Sequence, residues 1–317
     1  MYRKEIKVLD CTIRDGGLMN NWQFEDSFVK AVYDACVASG IDYMEIGYKS
    51  NESAFDKKVV GKWKFCDDKE IRKVIGNNEN TGLKLSAMAD IGRIEAEDIP
   101  PKSESVLDMI RVACYVHQMD KAVALAESCM DKGYEVTINL MAISKVMERD
   151  LDEALEDVSK SKVPVFYLVD SFGSMYCEQV EMLVDKYKKA LPGKTIGVHM
   201  HNNMQLAFSN TITGIINNCN MLDATLLGIG RGAGNCPIEI LLAFLKNPKY
   251  KLSPIFDVIQ KKLIPLQKEI DWGYHMPYLI TGFMNEHPRS AIKWMESENK
   301  DDYVTFYNNM LDGVELK

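Results

Sequence analysis

The sequence predicts an α/β fold, a (β/α)8 TIM barrel with a small C-terminal helical extension. Eight short apolar runs, rich in β-branched residues, occur in the first three quarters of the chain. Segments with helical periodicity separate most of these runs, and strand–helix alternation with short connections indicates a parallel sheet. Eight strands within roughly 230 residues match the usual size of a TIM barrel. From Leu252 to Leu316 the pattern is helical only.

The predicted strands are runs of six to eight residues. In order, they are IKVLDCT from Ile6, DYMEIGY from Asp42, LKLSAMAD from Leu83, DMIRVACY from Asp108, YEVTINLM from Tyr134, VPVFYLVD from Val163, TIGVHM from Thr195 and DATLLG from Asp223. Two of the intervening helices are predicted from apolar stripes at helical spacing. The stripes are Phe28, Val29, Val32, Tyr33 and Cys36, and Val180, Leu183, Val184, Tyr187 and Leu191.

Two features of the organisation follow from the same patterns. An open, doubly wound sheet would show the same alternation, so it is the number of strands that favours a closed barrel. The charged segment 51–81 is predicted to form an extra loop or helix. No low-complexity linker or internal repeat divides the chain, so we expect a barrel domain over residues 1–250 and a closely associated helical extension over residues 251–317.

Composition and charge exclude several classes of partner. The chain is 46% hydrophobic and 26% charged, with a net charge of −8, whereas nucleic-acid and anionic-membrane surfaces need clustered Lys and Arg. The eight cysteines are scattered without a CxxC pair, which is typical of reduced thiols. The first residues lack the apolar stretch of a signal peptide, and no run approaches the ~20 apolar residues of a membrane span. We therefore expect a cytoplasmic protein.

The strongest local signal for chemistry is the sequence HMHNN at the end of the seventh predicted strand. Side chains in a strand alternate between the two faces, so His199 and His201 point the same way. Histidine is scarce in this chain, with five residues in all. Two imidazoles on one face at a strand end predict a metal site, because neutral imidazole is a common metal ligand.

Two further motifs follow the first and the eighth predicted strand. In TIRDGG, Asp15 offers a hard oxygen ligand and Arg14 a fixed cation for a carboxylate or a developing enolate. Gly16 and Gly17 predict a tight turn that lets a substrate approach the backbone closely. The glycines of segment 228–235 (GIGRGAGN) indicate a loop whose amides face a ligand, although such strings are individually weak signals.

A closed barrel brings these motifs together. Its eighth strand lies between the seventh and the first, so HMHNN, GRGAGN and RDGG would share the C-terminal rim where barrel active sites are built. An open sheet gives no such reason for adjacency. The topology therefore predicts one site that contains Asp15, His199 and His201.

The combined motifs resemble the DRE-TIM metallolyase superfamily, which includes hydroxymethylglutaryl-CoA lyase. The resemblance covers roughly residues 5 to 250 and rests on TIRDGG, MEIGY with Glu45, HMHNN and GRGAGNCPIE, in that order along the chain. Within the superfamily the sequence is most similar to the 4-hydroxy-2-oxovalerate aldolases, as judged from IRVA at Ile110, DSFG at Asp170 and AGNCPIE at Ala233.

The resemblance implies roles for seven residues. The implied metal ligands are Asp15, His199 and His201, with Asn235 matching an additional ligand of the lyase branch. Arg14 matches the arginine that stabilises the enolate, and Glu45 the acid that orients this arginine. Ser171 matches a hydroxyl residue near the 2-oxo acid. Independently of the resemblance, the glycines of RDGG predict that the backbone at Gly16 and Gly17 contacts the substrate.

One departure from the aldolases concerns the general base. Their histidine in the loop after RDG is replaced by Leu18 in this sequence. Other groups must then move the proton, and the candidates are His117, after the fourth strand, and Tyr274, His275 and Tyr278, in the helical extension. We expect the base in the extension, since the corresponding region covers the active-site mouth in the resembling family.

These residues predict a carbon–carbon lyase of the metal-dependent pyruvate aldolase type. A 2-oxo acid would chelate Mn²⁺ or Mg²⁺, and a pyruvate enolate would form when a 4-hydroxy-2-oxo acid is cleaved. Two alternatives stay open. One is a Claisen-type synthase that uses acetyl-CoA, and the other is a non-catalytic metal-binding barrel. A homo-oligomer and an aldehyde dehydrogenase partner are further expectations from the resemblance.

Overall fold

A computed structural model describes residues 3–313 and contains a closed barrel of eight parallel strands in sequence order. The strands are β1 (Lys7–Asp10), β2 (Tyr43–Tyr48), β3 (Lys84–Asp90), β4 (Met109–Cys114), β5 (Glu135–Leu140), β6 (Val165–Asp170), β7 (Thr195–Met200) and β8 (Met221–Ala224). β8 pairs with both β7 and β1, which closes the sheet. The predicted barrel is confirmed, and the open-sheet alternative is wrong.

The last strand is the one whose predicted position is shifted. β8 begins at Met221 and ends at Ala224, whereas the prediction ran from Asp223 to Gly228. Beyond Ala224 the backbone leaves the ladder, because the Leu226 N–H donates to the Thr12 side chain at 2.8 Å. Leu226–Gly228 then forms a 3-10 turn in which Leu227 has a φ of 54°. Apolar composition alone does not distinguish this turn from a strand.

Helices surround the barrel on its outer side. They are α1 (Thr12–Asn20), α2 (Asp26–Ser39), α3 (Asp68–Ile75), α4 (Met119–Asp131), α5 (Glu148–Lys160), α6 (Cys177–Ala190), α7 (Ala207–Ile216) and α8 (Ile238–Leu245). The predicted stripe of α2 is buried, as are Val180, Val184 and Tyr187 of α6. Segment 51–81 contains α3 and two 3-10 turns, Glu52–Ala54 and Lys62–Lys64, which confirms the predicted extra element.

The C-terminal part of the chain is helical, as predicted. It contains α9 (Leu252–Val258), a π-helical turn (Ile259–Leu263), α10 (Ile264–Leu266), α11 (Met276–Phe283), α12 (Arg289–Met295) and α13 (Tyr303–Leu311). α9 packs on α2 and so continues the outer layer of the barrel. The last three helices form a small cluster with Ala233 of the loop after β8. In this way the extension packs against one of the predicted site loops.

The barrel interior combines an apolar and a charged layer. The apolar cluster contains Leu9, Cys11, Tyr43, Met109, Tyr167, Val169 and Met221. Glu45, Arg111 and Asp223 are fully or almost fully buried in the same interior. Within residues 3–313, no helix has both the length and the apolar character that crossing a bilayer requires.

Candidate active site

A network of buried charges forms the floor of the site. Arg111 of β4 reaches Glu45 of β2 at 3.0 Å and Asp223 of β8 at 2.5 Å. Its guanidinium also lies 4.6 Å from the centre of the Tyr167 ring. Buried ions need partners in good geometry, because desolvation otherwise outweighs their attraction. Arg111 therefore fixes the positions of Glu45 and Asp223. These two carboxylates in turn contact Arg14 and His199.

Arg14 is the first of these functional side chains. It lies on α1, is 5% exposed, and donates from Nε to the Glu45 carboxylate at 2.6 Å. Its Nη1 contacts the Asp15 carboxylate. Glu45 therefore contacts the guanidinium in the way the resemblance implies, and the fork of Arg14 is held in one orientation by two acids.

The turn predicted at Gly16 and Gly17 is wrong. Both residues lie inside α1, and neither has a positive φ. A Cβ on Gly17 would lie 2.0 Å from the Trp22 ring, and one on Gly16 would lie 3.1 Å from Ile229. The glycines are therefore required by close helix packing, and neither lines the main cavity. Their predicted contact with substrate has no counterpart in this geometry.

Asp15 and His199 meet at the top of the charged network. His199 Nδ1 lies 2.9 Å from Asp223 Oδ2, and its Nε2 lies 3.3 Å from Asp15 Oδ2. Apart from this contact with each other, neither His199 Nε2 nor Asp15 Oδ2 has a partner among the described residues, although both are buried. An imidazole that donates Nδ1–H to a carboxylate and leaves Nε2 free is the usual arrangement of a metal-binding histidine. The two unpaired atoms fit a divalent cation.

The charges at this point favour the same interpretation. Burial alone would raise the pKa of Asp15, but Arg14 and His199 hold this pKa well below its ordinary value. Burial would lower the pKa of His199, but Asp15 and Asp223 raise this pKa above its ordinary value. Without a cation, His199 therefore tends to carry a proton. A metal ion would replace that proton and release it, as expected where ligands must be deprotonated.

Cys11 and His201 are the two candidates for a third metal ligand beside Asp15 and His199. Cys11 has its sulfur within 4.8 Å of the ligand atoms of Asp15 and His199. However, burial raises the pKa of the Cys11 thiol well above its ordinary value, and the thiol donates to the Ala224 carbonyl at 3.4 Å. His201 has its ring centre 5.0 Å from that of His199 and lines the cavity. Burial and His199 lower its pKa, so its imidazole stays neutral and can bind a metal.

Asn235 lies beside the histidines on the loop after β8. It forms an isolated bridge with His201, and its Nδ2 donates to the Ile229 carbonyl at 3.0 Å. Its Oδ1 is buried and has no hydrogen-bond partner among residues 3–313. An amide oxygen without a partner is a donor that suits a hard cation. Asp15, His199 and His201 line one cavity and Asn235 bridges to His201, but the ligand atoms that lie within 4.8 Å of one another belong to Asp15, His199 and Cys11.

These groups open into a cavity of about 530 Å³ at the C-terminal rim. Of the predicted residues, Arg14, Asp15, Ser171, His199 and His201 line it. The Ser171 hydroxyl accepts a hydrogen bond from the Ala142 N–H at 2.9 Å. Leu18 also lines the cavity, so the position of the aldolase histidine does face the site.

The predicted candidates for the general base do not reach this cavity. His275 pairs with Asp271 at 3.0 Å, and the half-exposed Tyr274 contacts Met276. Tyr278 is buried in the cluster that holds Ala233. His117 lines a separate surface pocket. The extension does reach the cavity, but through His287, on the turn between α11 and α12, and Arg289, the first residue of α12.

Several cavity residues were missed in the sequence. Arg231 lies in the GRGAGN motif, which was selected for its glycines, and it donates to the Ser171 carbonyl at 2.9 Å. Lys64 lies in the inserted segment and is 3% exposed. Burial first, and then Arg231 and Arg289, lower the pKa of His287 to about 4, so it is neutral at pH 7. Only Arg231 had a local signal, its position within a recognised motif.

Comparison with known proteins identifies the family. A family model described as HMGL-like matches residues 5–261. This chain belongs to the HMGL-like family. An oxaloacetate decarboxylase of Mycobacterium tuberculosis is 30% identical over 306 residues, covering 92% of this chain and 87% of that protein. A 4-hydroxy-2-oxovalerate aldolase of Thermus thermophilus is 27% identical over 253 residues, covering 80% of this chain and 72% of that protein.

A solved structure supports the same assignment. The N-terminal domain of a Bacteroides vulgatus protein assigned as an aldolase superposes with a TM-score of 0.77 at 29% identity, covering 94% of this chain and 100% of that domain. The resemblance to the DRE-TIM metallolyases is therefore confirmed at the level of the HMGL-like family. The named relatives are carbon–carbon lyases, so the expected enzyme class is confirmed and a non-catalytic barrel is disfavoured.

Proposed function

We propose that this HMGL-like protein is a divalent-metal-dependent aldolase or lyase that acts beside the keto group of a 2-oxo acid. The substrate would be of the 4-hydroxy-2-oxo acid type, with the pyruvate enolate as the common fragment. The observation that carries the proposal is the pair of unpaired buried atoms, Asp15 Oδ2 and His199 Nε2, next to a guanidinium held by Glu45. An electrophilic site beside a fixed cation suits enolate chemistry.

The residues that would hold the metal are Asp15, His199 and His201, with Asn235 as a fourth ligand. Nitrogen and oxygen donors without a thiolate suit Mn²⁺ or Mg²⁺. When bound, such an ion acts as a Lewis acid on a chelating 2-oxo acid. Asp223 supports this ligand set from the floor of the site. It accepts a hydrogen bond from His199 Nδ1–H, which fixes the tautomer and orientation of the imidazole.

The other cavity residues would bind and orient the substrate. Arg14 presents its guanidinium where negative charge develops on the keto oxygen, and Glu45 keeps it there in the free enzyme. The His287 Nδ1 accepts a hydrogen bond from the Arg289 N–H at 3.0 Å, and its Nε2 lies 3.3 Å from Arg231 Nη1, so this ring positions the Arg231 guanidinium at the cavity. Arg231 would offer its positive charge to substrate oxygens. The Ser171 hydroxyl accepts a hydrogen bond from the Ala142 N–H and so helps to hold the loop after β5 against the site.

The proposal is tested by the exchange of pyruvate methyl protons with D₂O. We expect the wild-type protein with Mn²⁺ or Mg²⁺ to catalyse the exchange, because enolate formation needs no acceptor aldehyde, and to release pyruvate from a 4-hydroxy-2-oxo acid. A chelator should stop both reactions. Absence of exchange in the metal-loaded protein, or 2-oxo-acid-dependent thiol release from acetyl-CoA, would contradict the aldolase assignment; the second result would indicate a Claisen-type synthase.

The extension residues give a second prediction. His275→Ala, Tyr274→Phe and Tyr278→Phe should each leave the exchange rate within about threefold of wild type, because none of these side chains lines the cavity and direct proton transfer requires an approach within ~3 Å of the substrate. The measurement is the same proton exchange, followed by NMR. A loss of more than about tenfold in one folded variant would place the general base in the extension.

Cell location and partners are the remaining parts of the proposal. All eight cysteines are free thiols and seven are buried, which suits a reducing cytoplasm. The homo-oligomer and the aldehyde dehydrogenase partner stay predictions from the resemblance.

A further inference from the structure

The same cavity contains cations that the proposed chemistry does not use. Lys64 and Arg93 line it together with Arg231 and Arg289. No described carboxylate lies within ion-pair distance of any of these four side chains. The exposed Arg93 and Arg289 lose little by being unpaired, but a desolvated cation without an acid is costly. Lys64 is the extreme case, because its side chain is almost completely removed from solvent.

Lys64 sits in an aromatic cage at the side of the cavity. Its Nζ lies 3.6 Å from the ring centre of Tyr48, 4.2 Å from that of Trp22 and 4.5 Å from that of Phe55. Ring faces attract a cation but do not neutralise its charge. Burial lowers the pKa of Lys64 to about 8, so the ammonium remains mostly charged at neutral pH. The cage therefore holds a positive charge at the cavity wall.

Arg93 and Lys64 both contact the ring of Phe55. The guanidinium carbon of Arg93 lies 5.4 Å from the centre of Phe55, the ring that also contacts the Lys64 ammonium. Asp90 lines this part of the cavity too, but forms no ion pair with either cation. Burial raises the pKa of Asp90, while the charges of Lys64 and Arg93 oppose that rise, so Asp90 can balance only one of the two cations. Lys64 and Arg93 thus lie close to the same ring, and Asp90 is the acid that lines this part of the cavity.

The charges of the metal centre are already balanced without these two residues. Its floor has two cations, Arg14 and Arg111, and three acids, Asp15, Glu45 and Asp223. The remaining negative charge and the carboxylate of a 2-oxo acid together match one divalent cation. Nothing in that set neutralises Lys64 or Arg93. An additional negative charge on the substrate would do so.

We propose that Lys64 and Arg93 form a subsite for a second anionic group of the substrate, a carboxylate or a phosphate carried away from the 2-oxo acid end. This inference rests on the proposed function, because it assumes that the 2-oxo acid occupies the metal end of the cavity. The substrate class is then a 2-oxo acid with two anionic ends. Cation–anion contacts in a desolvated cavity select strongly for such a ligand, since a neutral analogue leaves the cations unpaired.

Calorimetric binding to the full-length protein with Mg²⁺ tests the subsite. The probes are 2-oxoglutarate, with a distal carboxylate, 3-phosphohydroxypyruvate, with a distal phosphate, and 2-oxopentanoate, which has no distal charge. We expect at least one of the two probes with a distal anionic group to bind about tenfold or more tightly than 2-oxopentanoate. The tighter of the two identifies the distal group. Equal binding of all three probes, or no binding of any, would overturn the subsite.

Substitutions show whether Lys64 causes the preference. Lys64→Met keeps an unbranched side chain in the cage and should remove most of the preference, while affinity for 2-oxopentanoate changes less than about threefold. Lys62→Met is the matched control, because the neighbouring Lys62 pairs with Asp26 and Glu70 and does not line the cavity. If Lys64→Met fails to fold, Arg93→Met, at an exposed position, gives the same readout.

The outcomes separate the subsite from the proposed function. Metal-dependent exchange of pyruvate protons needs no distal anion, so it reports on the metal centre alone. Exchange without any anion preference would refute the subsite and leave the aldolase proposal intact. Anion preference that depends on Lys64, in a protein without exchange, would support the subsite and refute the reaction. A Lys64→Met variant that weakens all three probes equally would show a structural role only.

Discussion

The double substitution His199→Ala/His201→Ala is expected to abolish stoichiometric metal binding and to lower turnover by at least about 10³-fold. These imidazoles are the neutral nitrogen donors of the site, and His199 is positioned for this role by Asp223 at 2.9 Å. Without them, Asp15 and Asn235 offer only two oxygen donors, too few for tight binding. Elemental analysis after dialysis against Mn²⁺ would measure the loss, with turnover measured on the same samples.

A matched control separates metal loss from a general effect of removing histidines. His117→Ala/His275→Ala also removes two imidazoles, but neither residue lines the cavity, so metal content should stay near one ion per chain. Circular dichroism should show that both double variants keep the barrel. Full metal occupancy in folded His199→Ala/His201→Ala protein would refute the ligand assignment, and Cys11 with Asp15 would then need reconsideration as donors.

Arg14→Ala is expected to lower kcat by roughly 10²-fold or more while changing KM much less. The reason is that the guanidinium is held in advance by Glu45 and Asp15 and lines the cavity, so its interaction strengthens mainly when charge develops in the transition state. Arg14→Lys should recover only part of the loss. A single ammonium cannot contact both acids and the substrate with the geometry of the planar fork. Steady-state kinetics of aldol cleavage gives both parameters.

Arg14 also contributes to the charge balance, so metal content must be measured in the same variants. Removing it leaves Glu45 and Asp15 with less compensation, and the pKa of Asp15 should rise towards its ordinary value. Because this pKa is depressed in the folded protein, the associated stabilisation is present above the unfolded pKa and is lost as the pH falls. Arg149→Ala, at a surface arginine paired with Glu153, is the control. Near wild-type kcat in metal-loaded Arg14→Ala would exclude the enolate role.

Part of the site could be predicted because it depends on local periodicity. His199 and His201 are two residues apart on a strand, so their common direction follows from the pleat. Once eight strands are counted, Asp15 and Asn235 become neighbours of that pair by closure of the barrel. The contact between Arg14 and Glu45 came from the resemblance, and the structure contains it at 2.6 Å.

Other expectations depended on information that is not local. The turn at Gly16–Gly17 was inferred from glycine flexibility, but these glycines lie in α1 because Trp22 and Ile229 leave no room for a Cβ. The base was sought in segment 271–278 for its titratable groups, whereas the fold directs that segment away and brings His287 to the cavity. Residue type indicated which groups have suitable chemistry, but not which of them face the site.

The sequence by itself determined the parallel barrel, the outer helices and the paired histidines, since each is encoded by spacing within one strand or helix. Only the tertiary structure decided which distant side chains share the cavity. Lys64 and Phe55 come from segment 51–81, which has no repeating pattern, and Arg93 comes from the turn after β3, so their convergence depends on how these two connections pack against each other. The physical reason is that burial and charge pairing are properties of the folded environment: the same lysine is an ordinary surface cation until three rings enclose it.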